Sequence, residues 1–127
     1  LASLHTHSAQ QTVERLVSFF NDDRKGWAQS VVSQVLLGVL SQTLLPRKDG
    51  NGMLLAPELM LATPDIRACI RDGRTHQIFH QMDTGSSRGQ VRLNKVLLDM
   101  VRSGHVDAKD ALFATYEPES LRKSLEG

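Results

Sequence analysis

The chain has 127 residues, with 15 Lys+Arg against 14 Asp+Glu, 40% hydrophobic and 23% charged. A chain of this size and mix can bury roughly two thirds of its unfolded surface, which argues against disorder or a fibrous repeat. A net charge of +1 gives no electrostatic basis for nucleic acid or an anionic membrane as main partner, and the single cysteine excludes an internal disulfide.

Residues 1–4 read as the end of a buried strand that runs into a polar turn at His5, Thr6, His7 and Ser8. They carry no basic n-region and so form no signal peptide; a start at Leu1 is expected of a piece of a longer chain. Ser8 and Gln11 have capping-box spacing. Val13, Leu16, Val17 and Phe20 follow at i, i+3, i+4 and i+7, which predicts a helix with one apolar face. Asp22 and Asp23 suit the N-terminus of a second helix carrying Trp27 and Val31. Over 35–45 the apolar residues become nearly continuous around Gly38, the pattern of a strand buried on both faces. The longest apolar stretch, 31–40, is broken by Ser33, Gln34 and Gly38 and falls short of the ~20 residues that span a bilayer, so no membrane insertion is expected. The run 46–52 is a dense turn signal, and with strand-like residues at 53–60 it predicts a β-hairpin. Pro57 donates nothing to a ladder and puts its strand at an edge or a bulge.

From Thr63 onward the pattern is helical. Thr63, Pro64 and Asp65 form a helix start and Gly73 a stop. Thr75 is expected to cap a short helix ending near Gly85. A third helix is predicted over 90–103, burying Val96, Leu97, Met100 and Val101 and closed by Gly104. Asp107 caps residues 108–114, and Pro118 opens a last helix with Leu121 and Leu125. There is no internal repeat.

Few residues stand out chemically on spacing alone. Arg67 and Arg71 lie at i and i+4, with Ile66, Cys69 and Ile70 towards another face; a solvated basic face is the plain alternative. His76 and His80 share one helical face, yet no third ligand or HExxH accompanies them, so no metal is expected. Cys69 reads as a small core residue. Ser8 lacks a hydrolase-elbow context, and Arg47-Lys48 sits in a wet turn. His5 and His7 are polar residues in a turn.

Three strings go further: His5-Thr6-His7-Ser8-Ala9, Leu44-Leu45-Pro46-Arg47-Lys48-Asp49-Gly50, and Ala62-Thr63-Pro64-Asp65-Ile66-Arg67-Ala68-Cys69-Ile70-Arg71-Asp72-Gly73. With Thr75-His76-Gln77-Ile78 and Thr84-Gly85 they fall in the order seen in the secretion ATPase superfamily. The third string resembles the segment that marks pilus-retraction (PilT-type) motors. Departures include Asp65 where the family usually has Ala, Ala68-Cys69 in place of Asn-Leu, and His7 in place of Asn.

The resemblance implies an α/β fold: residues 1–62 as the C-terminal part of a RecA-like P-loop ATPase core with a β-hairpin, and 63–127 as a helical C-terminal subdomain. It places His5 at the family's His-box, near the terminal phosphate, where an imidazole N–H can hydrogen-bond a phosphoryl oxygen. It makes Arg67, Arg71, Ile66 and Ile70 a coupling surface toward a neighbouring subunit or the moving pilus base. ATP and Mg²⁺ would belong to the parent protein. No Gly-x4-Gly-Lys-Ser/Thr occurs here, so this segment alone is expected to be inactive and to hold no cofactor. The implied partners are five further copies in a homo-hexamer and the inner-membrane pilus platform, without nucleic acid, in the cytoplasm at the inner membrane. Alone, the segment is expected to dimerise. The competing readings are a non-catalytic helical interaction module and a type II secretion or pilus-assembly paralogue.

Overall fold

A computed structural model describes residues 1–84 and 89–127. Ser8 starts the first helix as its spacing predicts: its Oγ accepts the Gln11 N–H at 3.1 Å, and Gln11 Oε1 in turn accepts the His7 N–H at 2.7 Å. That helix, α1 (Ala9–Ser18), buries Ala9, Thr12, Val13 and Val17. Phe20 lies beyond its end and meets the exposed Trp27 edge-on, with ring centroids 5.6 Å apart. After a 3₁₀ turn at Asp22–Arg24, α2 (Lys25–Val35) runs into a hairpin of β1 (Gly38–Pro46) and β2 (Met53–Leu61).

The hairpin is antiparallel, with Leu40 opposite Leu59, Gln42 opposite Pro57 and Leu44 opposite Leu55. Its turn is held by Asp49, which pairs with Arg47 at 2.9 Å and accepts the Asn51 N–H at 2.9 Å. The expectation of a strand buried on both faces is corrected here. Val39, Ser41 and Leu45 point inward, while Leu40 and Leu44 on the other side are 60% and 63% exposed. Helices cover only one face of the pair, and the pleat sends alternate side chains outward. Val35 belongs to α2.

Residues 1–4 are mostly exposed and form no strand. Among the described residues no strand lies beside them to satisfy a ladder.

Beyond the hairpin come α3 (Pro64–Arg71), a 3₁₀ turn at Thr75–Gln77, α4 (Ile78–Thr84), α5 (Leu93–Arg102), α6 (Ala108–Ala114) and α7 (Pro118–Glu126). Thr63 and Gly73 bound α3 as expected. Gly73 adopts φ +72°, and the Arg74 N–H bonds back to the Cys69 carbonyl at 2.8 Å. Thr75 is no cap; its hydroxyl donates to Glu14 at 2.8 Å. Gly85, the expected stop of α4, lies outside the described residues. The helix expected from residue 90 begins at Leu93, because residues 90 and 91 extend the sheet instead. Val91 and Leu59 exchange two backbone bonds of 2.9 Å. The Gln90 amide accepts from the Leu61 N–H at 2.7 Å and donates to its carbonyl at 2.8 Å.

Two cores result. The first joins Ala9, Val13, Val39 and Met60 to Ile66, Ile70, Ile78 and Met82. The second joins Leu45 and Ala56 to Leu93, Leu97, Val106, Ala111 and Leu121. The hairpin runs through both, with Val39 and Met60 in the first core and Leu45 and Ala56 in the second. Among the described residues no helix is long and apolar enough to cross a membrane.

Candidate functional site

Period-2 alternation puts Ala56, Glu58 and Met60 on the inward face of β2, so a carboxylate enters the interior between two apolar neighbours. Glu58 is 1% exposed. A buried carboxylate is tolerated only where donors meet it, and three do. One oxygen accepts the Ala9 N–H at 3.2 Å, the first residue of α1. The other accepts the Leu93 N–H at 3.1 Å, the first residue of α5, and the Tyr116 hydroxyl. The positive ends of two helix dipoles therefore converge on one negative charge.

Tyr116 continues the assembly. Its ring stacks on Phe79 at 5.0 Å, and the Arg92 guanidinium lies over Phe79 at 4.2 Å. Arg92 pairs with Glu117 and lies 3.4 Å from Asp83. Burial, then the hydrogen bond to the Glu58 carboxylate, pushes the Tyr116 hydroxyl well above the ordinary tyrosine range.

His5 is exposed and lies in the turn just before this junction. The Thr6 and Thr12 hydroxyls, 2.6 Å apart, tie that turn to α1. His7 and His76 share an open cleft of about 560 Å³ with Glu14, Phe79 and Tyr116; His5 does not line it. His76 is on the 3₁₀ turn and His80 on α4, both exposed. Among the described residues no group of three or more His, Cys, Asp or Glu could hold a metal.

Arg67 and Arg71 have parted company. Arg67 reaches across to α2, donating from Nη1 to the Ser33 carbonyl at 2.6 Å and the Gln34 carbonyl at 3.1 Å. It thus caps the negative end of that helix. Arg71 is exposed and only 3.5 Å from its neighbour Asp72. Arg67→Ala is accordingly expected to lower stability by about 1–2 kcal/mol, and Arg71→Ala by less than about 0.5 kcal/mol. Chemical denaturation of the two variants checks this, and equal losses would refute the capping role.

No protein-family model matches the chain. The type IV pilus retraction ATPase PilT of Pseudomonas aeruginosa is 36% identical over 119 residues, covering 94% of this chain and 34% of that protein. A twitching motility protein of Neisseria gonorrhoeae is 34% identical over 94% of the chain and 32% of its own length. The crystal structure of the pilus retraction motor PilT with bound ADP matches with a TM-score of 0.82 at 32% identity, over 94% of this chain and 33% of that one. This chain is a PilT-like ATPase segment. It spans about a third of the length of the relatives it matches, and its hairpin and helices match the C-terminal part of PilT.

In the PilT-like segment the residues expected to form a coupling surface are not all on the surface. Ile66 and Ile70 are fully buried in the first core. The Cys69 thiol is buried and pushed up by that burial, as a core residue should be. Arg47 and Lys48 are engaged locally, with Asp49 and with Asp107 at 3.7 Å. Sequence spacing missed Glu58, Tyr116 and Arg92. For Glu58 a signal existed: it is the lone acid within an apolar strand, at the same parity as Ala56 and Met60.

Proposed function

We propose that this PilT-like segment belongs to a cytoplasmic, hexameric ATPase at the inner-membrane pilus machinery, which retracts type IV pili, and that its share of the work is to transmit change rather than to cleave ATP. The carrying observation is the match to the retraction motor over 94% of the chain, at a TM-score of 0.82 and 32% identity. The order of parts supports it: His5 precedes α1, and α1 begins on the same carboxylate as α5. His5 is proposed to meet the nucleotide's terminal phosphate, with Mg²⁺ and the remaining phosphate contacts supplied by residues outside this segment.

The test uses the full-length gene product. It should hydrolyse ATP only with Mg²⁺, and His5→Ala should lower turnover at least about tenfold with little change in nucleotide affinity. Absence of ATP turnover, or normal twitching after deletion of the gene, would refute the reading.

Alone, the chain is proposed to pair through β1. Among the described residues no strand pairs with its outer edge, Leu40 and Leu44 are exposed, and no charge between Gly38 and Pro46 repels a second copy. The 127-residue chain is expected to show a concentration-dependent mass that Leu44→Lys returns to that of a monomer. A monomer at every concentration would contradict the pairing.

A further inference from the structure

Glu58 lies on β2 between Ala56 of the second core and Met60 of the first, where the start of α1 and the start of α5 come together. Its carboxylate divides its acceptors between the two sides. One oxygen holds Ala9, four residues after His5; the other holds Leu93, the first residue of α5, and Tyr116, in the link between α6 and α7, both packed in or against the second core. The N–H of Ala9 is the first of α1's end groups that no carbonyl within the helix can satisfy, and Leu93 stands in the same position in α5. Neither helix start can shift along its axis without dragging the carboxylate or leaving a buried donor unpaired. The surroundings leave little slack, since the Tyr116 ring is stacked on Phe79 and Phe79 is covered by Arg92. Glu58 itself is held in mid-strand, opposite Ser41 of β1.

We infer that Glu58 is the positioning residue that makes the His5 turn and the C-terminal helices move as one unit, linking the start of α1 to the start of α5 through a single carboxylate. The inference rests on the proposed motor reading for its purpose, while the link itself is a property of this fold. It differs from a contact between subunits, because both ends lie inside one chain. Nothing in it requires Glu58 to touch nucleotide. Its consequence is a defined route: displacement at residues 5–8 passes to Ala9, through the carboxylate, and out to α5 and Tyr116.

Amide hydrogen exchange of the full-length protein, read by mass spectrometry on peptides that cover α1, α3 and α5, tests this with two perturbations. Ser8→Ala removes the α1 cap without nucleotide, and should speed exchange about fivefold at the start of α1. In wild-type background the start of α5 should respond as well; in Glu58→Gln background it should not. Glu58→Gln keeps the shape and one acceptor oxygen but cannot receive all three donors. Unchanged exchange across α3 shows that the variant is folded, and Tyr116→Phe serves as a milder second variant that should weaken the response at α5.

Adding ATP is the other perturbation. It should alter exchange at both helix starts in the wild-type protein and only at α1 in Glu58→Gln. If Ser8→Ala leaves α5 unmoved in the wild-type protein, or moves it equally in Glu58→Gln, the positioning role is overturned. If ATP alters neither helix start, the motor reading fails, and the Ser8→Ala comparison still decides the role of Glu58.

Discussion

Glu58→Ala is expected to cost about 4 kcal/mol of stability, the largest loss of any single substitution considered for this chain. Three donors, the N–H groups of Ala9 and Leu93 and the hydroxyl of Tyr116, would lose their acceptor in a site that is 1% exposed. Leaving a buried donor unsatisfied costs about 1–3 kcal/mol, and the charge opposite two helix N-termini is lost as well. Domains of this size are stable by about 10 kcal/mol, so the variant should unfold at a much lower urea concentration. Glu58→Gln should fall between it and wild type, because one oxygen survives while the new NH₂ faces donors. Tyr116→Phe should cost about 1 kcal/mol, since Glu58 keeps both helix amides. The order Ala, Gln, then Tyr116→Phe is the informative result. A loss under about 1 kcal/mol for Glu58→Ala would mean that the three contacts do not hold the native state.

That ranking also marks where the sequence was readable. Local rules placed α3 between Thr63 and Gly73 and opened α6 and α7 after Asp107 and at Pro118, because caps, first-turn prolines and left-handed glycines act over a few residues. The hairpin was legible from its turn chemistry. Its exposure was not, since an apolar run does not reveal how many faces of a strand are covered, and Leu40 and Leu44 proved to face outward. The start of α5 was displaced by contacts 29 residues away, in which the Gln90 side chain mimics a strand. His5 was singled out by resemblance and the two arginines by their i, i+4 spacing, whereas the use of Arg67 as a cap on α2 is tertiary. Glu58 needs three partners from distant segments. Spacing can flag such a residue as out of place, yet only the fold supplies the reason it is tolerated.

Tyr116 is expected to keep its proton as long as the chain stays folded, which ties the second large effect to alkaline pH. The hydroxyl is pushed up because burial disfavours the phenolate and the neighbouring carboxylate both accepts its proton and repels the negative charge. Its folded pKa thus lies above its unfolded value of about 10. The associated stability is fully present below pH ~10 and is lost as pH rises beyond it, because only the unfolded chain then releases the proton. Once above pH ~10, wild type should lose about 1.4 kcal/mol more per pH unit than Tyr116→Phe, the comparison that cancels the lysines titrating in the same range. Tyr116 is the chain's single tyrosine, so tyrosinate absorbance reports on it alone and should appear together with unfolding. Reversible tyrosinate formation near pH ~10 in the folded protein would show that Tyr116 is not held against Glu58, and would remove one of the three donors on which the junction depends.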